Sequence, residues 1–284
     1  MKTTGWIIGF MLLYLPVWGQ VPDSTTKALR KAQTEKYIYL GIGGQYSRYQ
    51  DFGTAPLTYD GILGAARIGY RQQRPGSFFD VGTNPSSAFV STEAGGFTYS
   101  ATQVIGQGNV TYLTRIGIPK WQDWNLYVGP NFINIWNARF NSSHGNAIYT
   151  YEIISSLCVG GRLGRLWSYT NKKGKTRKWR LATQLSLPIL NVALRPDYVV
   201  IEDFSSGRSN PLAGDGFEVA FWGKVNRLQW LTEGYYYLNN GNALRVSYQW
   251  DGYNSRIGEN DSAAGIHGLT FSILFHLNKG YSPS

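Results

Sequence analysis

The stretch LNNGNALRVSYQWDGYN, residues 238–254, places a turn before a strict alternation of apolar and polar side chains. Leucine, valine, tyrosine and tryptophan stand at positions 244, 246, 248 and 250, and arginine, serine, glutamine and aspartate stand at 245, 247, 249 and 251. Successive side chains of a β-strand point to opposite faces, so this strand has one apolar and one polar face. The apolar face is the core side in a soluble protein and the outer side in a barrel that crosses a lipid bilayer.

The first twenty residues have the layout of a secretory signal peptide. Lys2 precedes an apolar run from Trp6 to Trp18, and Gly19 and a polar sequence follow. We therefore expect residues 1–20 to be a cleaved signal peptide. The absence of a cysteine at the cleavage site argues against a lipoprotein, and no later run reaches the roughly 18 apolar residues of a membrane-spanning helix.

The composition favours an exported β-protein. Tyrosine (20), tryptophan (10) and glycine (34) are abundant, and the single Cys158 excludes a disulfide within the chain. The formal net charge is +10. Because the chain carries an export signal, this positive balance favours outer-membrane lipid and lipopolysaccharide as partners, and we expect no nucleic-acid partner.

From residue 36 onward the pattern has period two, after a polar segment at 21–35 that we expect to be helical and periplasmic. The ten predicted strands cover 36–49, 60–71, 77–90, 98–117, 123–139, 147–168, 178–190, 217–238 (with a break near Asn226), 242–254 and 265–277. Residues 36–278 would form the barrel, and residues 279–284 would form a short periplasmic tail. Pro130 lacks a donor for the ladder and predicts a bulge or a change of register in the fifth strand.

The connections between these strands are expected to differ at the two ends of the barrel. The longer ones are 50–59, 91–97, 140–146, 191–216 and 255–264, and they alternate with short turns at 72–77, 118–123 and 239–242 and a basic connection at 169–178. Long loops at one end and short turns at the other are typical of an outer-membrane barrel. We therefore predict an all-β fold: a closed antiparallel transmembrane β-barrel of about 10 strands.

The two faces of the predicted strands identify candidate residues for the lumen and for the lipid interface. The lumen-lining candidates, on the polar face, are Arg67, Arg115, Arg139, Glu152, Arg162, Arg180, Glu233, Arg245 and Asp251. Tryptophan and tyrosine favour the bilayer interface, and the candidates near strand ends on the apolar face are Tyr70, Trp124, Tyr149, Trp179 and Trp250.

The chain resembles the small outer-membrane β-barrels of Bacteroidetes-type bacteria. The residues that carry this resemblance are PVWGQ at 16–20, YDGILGAARIGY at 59–70, NGNALRVSYQWDGYN at 240–254 and AAGIHGLTFSILFHL at 263–277. The resemblance implies a barrel placed in the outer membrane of a Gram-negative bacterium by the general insertion machinery. It implies no catalytic residues. The end of the chain, FHLNKGYSPS, departs from the terminal aromatic residue that is common in such barrels.

The predicted interior holds more arginines than carboxylates. An eight-stranded barrel is just filled by side chains, and water-filled channels need about 16 strands, so about 10 strands should be largely plugged by Arg–carboxylate networks. The surplus of arginine leaves a second interpretation open, which is a narrow anion-preferring pore lined by Arg115, Arg162, Arg180 and Arg245.

Enzymatic motifs are weak. His144 follows Ser143 in a polar loop, and they form a nucleophile–base pair only if the fold orients them beside a carboxylate from Glu202, Asp203, Asp215 or Asp261. The sequence has no G-x-S-x-G, no phosphate loop and no paired-histidine metal spacing. We predict no catalytic residue, no metal and no cofactor. A hydrolase at the outer rim is the third interpretation.

The preferred interpretation is a non-enzymatic outer-membrane barrel that serves as a structural or accessory component of a cell-envelope assembly. The connection 191–216 mixes apolar and charged residues over a long span. We therefore expect this loop to contact a protein partner in the outer membrane.

Overall fold

The computed structural model describes residues 34–52, 55–117, 123–141, 149–170, 174, 176–195, 217–257 and 261–277. The predicted signal peptide, the tail at 279–284 and all but the last two residues of the predicted helical segment 21–35 lie outside these ranges. Glu35, which the sequence placed in the helical segment, is the first residue of a strand.

Eleven β-strands hold most of the described chain. In chain order they are β1 (Glu35–Asp51), β2 (Ala55–Arg74), β3 (Ser77–Ala94), β4 (Phe97–Ile116), β5 (Trp124–Phe140), β6 (Tyr149–Thr170), β7 (Thr176–Leu194), β8 (Phe217–Ala220), β9 (Val225–Tyr237), β10 (Ala243–Ser255) and β11 (Ser262–His276). The described residues contain no helix long and apolar enough to cross a membrane.

The strands close into a ring of ten positions. Each of β2 to β7 pairs antiparallel with the strand before it, and β11 pairs antiparallel with both β10 and β1. The remaining position is shared, because β9 pairs with the first half of β7 and β8 pairs with its last four residues. The prediction of a closed antiparallel barrel of about ten strands is confirmed.

The shared position is one interrupted strand, as the sequence predicted, but the break lies a few residues earlier than Asn226. Residues 221–224 form a turn in which Gly223 has a φ of +109°. The amide of Gly223 donates to Oδ1 of Asn226 at 2.9 Å. Asn226 therefore closes the turn as the second residue of β9.

The expected irregularity at Pro130 is absent, and the register shift lies at Pro188 instead. Pro130 is exposed on the outer face, and the β4–β5 register is the same on both sides of it. In β7, by contrast, the register with β6 shifts by one residue between Leu190 and Pro188. Such a bulge reverses which parity faces inward. Arg195 consequently points into the barrel.

The difference in loop length between the two ends is smaller than predicted. The connection expected at 91–97 is only Gly95–Gly96, and these glycines have φ values of +59° and +81°, as in a tight hairpin turn. Strands β3 and β4 therefore extend further than their alternation indicated. The tight turn at 239–242 is confirmed: the Leu238 amide donates to the carbonyl of Asn242 at 2.8 Å, and Gly241 has a φ of +85°.

Burial alternates along most of each long strand, and the inward parity changes at the bulge in β7. In β10, Leu244 and Val246 are each 44% exposed, whereas Arg245 is 1% exposed and Asp251 is fully buried. The apolar parity therefore faces the surroundings of the barrel and the charged parity faces its interior. This arrangement is the reverse of a soluble β-protein.

Candidate functional site

The interior of the barrel is the candidate site, because the buried ionisable groups converge there. The buried arginines are Arg67, Arg71, Arg139, Arg162, Arg195, Arg227 and Arg245. The buried carboxylates are Asp51, Asp80, Glu152, Glu233 and Asp251. Buried charges are stable only when they are paired and hydrogen-bonded, so the partners of each group determine what the interior can do.

Glu233 of β9 is the centre of the largest group. Its carboxylate lies 3.0 Å from Nη2 of Arg71, 2.7 Å from Nη2 of Arg162 and 3.2 Å from Nη1 of Arg245. These arginines come from β2, β6 and β10, so one carboxylate joins strands from different sides of the lumen. We refer to Glu233, Asp80, Arg67, Arg71, Arg162 and Arg245 as the Glu233 cluster.

Asp80 is the second carboxylate of the Glu233 cluster. Nε of Arg71 donates to its Oδ2 at 2.6 Å, while the Tyr39 hydroxyl and the Asn109 amide donate to Oδ1 at 3.2 and 3.1 Å. Arg71 therefore bridges the two carboxylates. Charge-assisted hydrogen bonds of this kind are about twice as strong as neutral ones.

Aromatic rings add to the stabilisation of this cluster. The Tyr39 ring lies 4.1 Å from the guanidinium carbon of Arg245, and the Phe78 ring lies 4.4 Å from that of Arg162 and 5.1 Å from that of Arg71. A ring face attracts a cation most strongly where water is excluded. These contacts partly offset the shortage of carboxylates.

Arg227 and Asp251 form a second, separate pair. Nε and Nη2 of Arg227 donate to the two oxygens of Asp251 at 3.0 and 2.7 Å, which is the bidentate geometry that favours specificity. Oδ2 of Asp251 also accepts from the amides of Gln229 and Gln107 at 3.2 and 3.4 Å. The charges of this pair balance.

The third group lies toward the end of the barrel at which β7 ends with Leu194. Arg139 is 3.2 Å from Asp51 and 3.4 Å from Glu152, and Arg195 also pairs with Asp51. The Tyr253 hydroxyl donates to Oε1 of Glu152 at 2.5 Å. Two arginines meet two carboxylates, so this group is also balanced.

A cavity of about 20 Å³ lies between the Glu233 cluster and the glutamines that donate to Asp251. It is lined by Arg67, Arg71, Asp80, Asn84, Gln107, Gly108, Asn109, Thr111, Gln184, Gln229, Leu231 and Gln249. A cavity needs a volume of roughly 10–15 Å³ to hold one water molecule. The cavity therefore has room for a water molecule or a monatomic ion, and not for a larger solute.

Most of the predicted lumen residues lie inside the barrel. Arg67, Arg139, Glu152, Arg162, Glu233, Arg245 and Asp251 are all buried. Arg180 is half-buried near the mouth that carries the short turns, where its Nη1 donates to Oε1 of Gln73 at 2.5 Å and lies 3.5 Å from Glu35.

Arg115 does not belong to the interior. It is the penultimate residue of β4, and its side chain is exposed. Alternation indicates which face a residue is on but not whether the barrel still encloses it at that point. The corrected interior also includes Arg227, which the sequence analysis missed although it shares the parity of Glu233, and Arg195, which only the bulge turns inward.

The predicted interface aromatics all lie on the outward parity. Trp179 is 51% exposed and packs 4.5 Å from the ring of Tyr236. The other four, Tyr70, Trp124, Tyr149 and Trp250, are half-buried.

A second concave region lies on the outer face near the loop-bearing end of β1 and β11. This groove of about 400 Å³ is lined by Tyr46, Arg48, Tyr49, Gln50, Thr58, Ala263, Ala264, Gly265 and His267. The Tyr46 hydroxyl donates to Asp60 at 2.8 Å, and the Tyr248 hydroxyl lies 2.8 Å from Nδ1 of His267. We refer to it as the Arg48 groove.

The hydrolase candidates Ser143 and His144 fall outside the described residues, as do Glu202, Asp203 and Asp215. Asp261 is described, and it lies 3.9 Å from Arg256 in an exposed ion pair. Within the ranges that the structure covers, no group of three or more His, Cys, Asp or Glu side chains is placed to hold a metal ion.

No family model and no curated protein matches the chain. The chain is similar to the β domain of the Bordetella autotransporter BrkA, with 12% identity and a TM-score of 0.40 over 85% of this chain and 100% of that chain. It is similar to the transport unit of the autotransporter AIDA-I from Escherichia coli, with 8% identity and a TM-score of 0.39 over 85% of this chain and 90% of that chain. It is also similar to the P. putida toluene transporter TodX, with 8% identity and a TM-score of 0.29 over 87% of this chain and 90% of that chain. These TM-scores are low, so the assignment of the barrel rests on the strand pairing of this chain itself.

A substitution can test whether Glu233 is the centre of the largest group of buried charges. We expect Glu233→Gln to destabilise the barrel by about 3–5 kcal/mol, because it leaves three guanidinium groups with one fewer buried carboxylate. The measurement is equilibrium unfolding in urea of the barrel folded in detergent micelles. Glu218→Gln is the matched control, since the partly exposed pair of Glu218 with Lys224 is expected to contribute less than about 1 kcal/mol. Equal effects of the two changes would contradict the assignment.

Proposed function

We propose that the chain is a non-enzymatic outer-membrane β-barrel of the Bacteroidetes type, with an interior sealed by ion pairs, that acts as a structural or accessory component of a cell-envelope assembly. The observation that carries this proposal is the set of ion pairs that cross the lumen. Arg71 of β2 reaches Glu233 of β9, and Arg195 of β7 reaches Asp51 of β1.

Membrane insertion is supported by the outer face. Large apolar side chains are exposed around the ring, among them Ile42 (75%), Phe271 (57%) and Leu187 (44%). Such a surface is unfavourable in water and favourable in hydrocarbon. The strands of the ring, other than the interrupted one, are 13 to 22 residues long, and about 9–11 tilted residues cross a bilayer, so the ends of the longer strands extend beyond it.

A sealed interior is supported by the cost of opening it. Removing one partner of a buried ion pair costs about 3–5 kcal/mol, and a conducting path through the barrel would separate several pairs at once. The network therefore suits a rigid support for loops or for lipid contacts better than a diffusion channel.

The narrow anion-preferring pore is the second candidate, and one observation favours it. Among the residues that the structure describes, the interior contains seven buried arginines against five buried carboxylates, so this part of it retains positive charge. A conducting path for small anions would use this surplus.

Lipid and lipopolysaccharide are the proposed partners of the outer face. In the Arg48 groove, the exposed residue Arg48 is paired in register with Gly265 of β11, which has no side chain, and on its other side with Asp60 of β2. A positive group beside an open floor suits the phosphate of an outer-leaflet lipid. The proposed protein partner binds through the connection after β7, which begins beyond Leu194 rather than at 191.

The first prediction of this proposal concerns insertion into the membrane. Leu269 is the central residue of β11 and is 48% exposed. We expect Leu269→Arg to lower the stability of the barrel in a bilayer by about 2–4 kcal/mol, because it places a charge on the lipid face near the midplane. Folding into phospholipid vesicles, followed by urea titration, measures the change. Ser91→Arg, an exposed outward position near the Gly95–Gly96 turn, is the control and should insert normally; a soluble barrel would tolerate both changes equally.

The second prediction concerns conduction. In planar bilayers the purified barrel should give no stable single-channel current, because the ion pairs across the lumen stay intact and block the passage of ions. A reproducible anion-selective current that Arg245→Gln alters would instead support the pore and contradict the sealed interior.

The third prediction concerns the protein partner. Replacing residues 197–215 with a glycine–serine linker of equal length should leave the barrel folded and abolish recovery of the partner from native membranes after crosslinking. The control replaces residues 142–147 in the same way. If the same proteins are recovered with both variants and with the natural chain, the connection after β7 is not the contact surface.

A further inference from the structure

Arg67 differs from the other buried arginines because it has no carboxylate partner among the described residues. Arg71, Arg139, Arg162, Arg195, Arg227 and Arg245 each have a carboxylate oxygen within 4.0 Å. Arg67 is 5% exposed, and its Nη1 donates to the hydroxyl of Ser247 at 3.2 Å. The Tyr39 ring lies 6.0 Å from its guanidinium carbon, at the outer limit of a cation–π contact.

The surplus charge of the interior is confined to the group that contains Arg67. The Arg227–Asp251 pair is balanced, and so is the group of Arg139 and Arg195 with Asp51 and Glu152. The Glu233 cluster has four arginines and two carboxylates. Three of these arginines share the two carboxylates, and Arg67 is the one without an acidic partner.

Arg67 lines the cavity of about 20 Å³ together with side-chain amides. Gln184, which is 5% exposed, also lines it and makes no side-chain hydrogen bond with a described residue. Asp80 is the one carboxylate in the lining, and Arg71, Tyr39 and Asn109 already donate to it. The uncommitted donors that face the cavity are therefore the Arg67 guanidinium and the Gln184 amide, while Oδ1 of Asn84, which also lines the cavity, is an acceptor without a partner among the described residues.

We propose that this cavity is a halide site, occupied by chloride, with Arg67 as the counter-charge and Gln184 as a second donor. A buried guanidinium needs an anion or several hydrogen bonds to be stable, and a water molecule would leave the charge unbalanced. The volume suits a monatomic anion, which is only slightly larger than water, and excludes sulfate and phosphate. The proposal does not depend on membrane insertion or on a partner.

The experiment measures thermal unfolding of the full chain, folded in detergent, in sodium chloride, sodium bromide and sodium gluconate at equal ionic strength. Halide should raise the unfolding midpoint by at least about 2 °C over gluconate, and the rise should saturate with concentration because it reports binding to the folded state. If the midpoint depends only on ionic strength, the cavity does not bind halide and the proposal is wrong.

Arg67→Gln assigns the effect to this cavity. The variant should lose the difference between chloride and gluconate, and in gluconate it should be at least as stable as the natural chain, because an unpaired buried charge is gone. Arg227→Gln is the matched control from the balanced pair with Asp251. It should be less stable in every salt and should keep the full rise with chloride. If Arg67→Gln retains that rise, the proposal is overturned.

Two further measurements keep the proposal testable if Arg67→Gln does not fold. Gln184→Leu retains every charge and removes one donor, so it should weaken the apparent chloride affinity several-fold. Crystals of the natural chain grown with bromide should show an anomalous peak beside the guanidinium of Arg67. Unchanged affinity in Gln184→Leu, or no peak at that position, would each exclude the site.

Discussion

Closure of the ring by β1 and β11 is the constraint on which the rest of the structure depends. The two strands pair without interruption from Tyr37 and His276 to Asp51 and Ser262. Because this pairing closes the ring, most of its backbone groups are paired between strands and its outer face can be apolar. The same closure encloses a lumen into which buried polar and charged side chains project. Charged side chains that face inward must then find partners across it.

Those partners make the interior a set of cross-links between strands. Arg71 and Glu233 are 162 residues apart in the chain, and Arg195 and Asp51 are 144 apart, yet each pair is in contact. A buried ion pair contributes little net stability compared with an apolar core, but it is expensive to break. The network therefore favours one arrangement of the strands over others, and this supports a barrel that holds its loops in fixed positions.

The architecture could be predicted from the sequence because long period-two strands with turn residues between them leave few alternatives. Membership of the interior was also predictable, since Glu233, Arg245 and Asp251 follow from parity alone. The partners were not, because they are set by three-dimensional closure between strands that are distant in sequence. Alternation also placed Arg115 in the interior, although its side chain is exposed where the barrel ends. It gives the wrong face for residues that follow the bulge at Pro188.

The bulge shows how a local backbone feature decides the charge balance of the interior. Without the extra residue between Leu190 and Pro188, Arg195 would lie on the lipid-facing parity, where a charge is unfavourable. Asp51 and Glu152 would then share Arg139 alone, and their group would be acidic by one charge. With the bulge that group is neutral, and the positive surplus is confined to the Glu233 cluster. The register of β7 thus determines which part of the lumen can attract an anion.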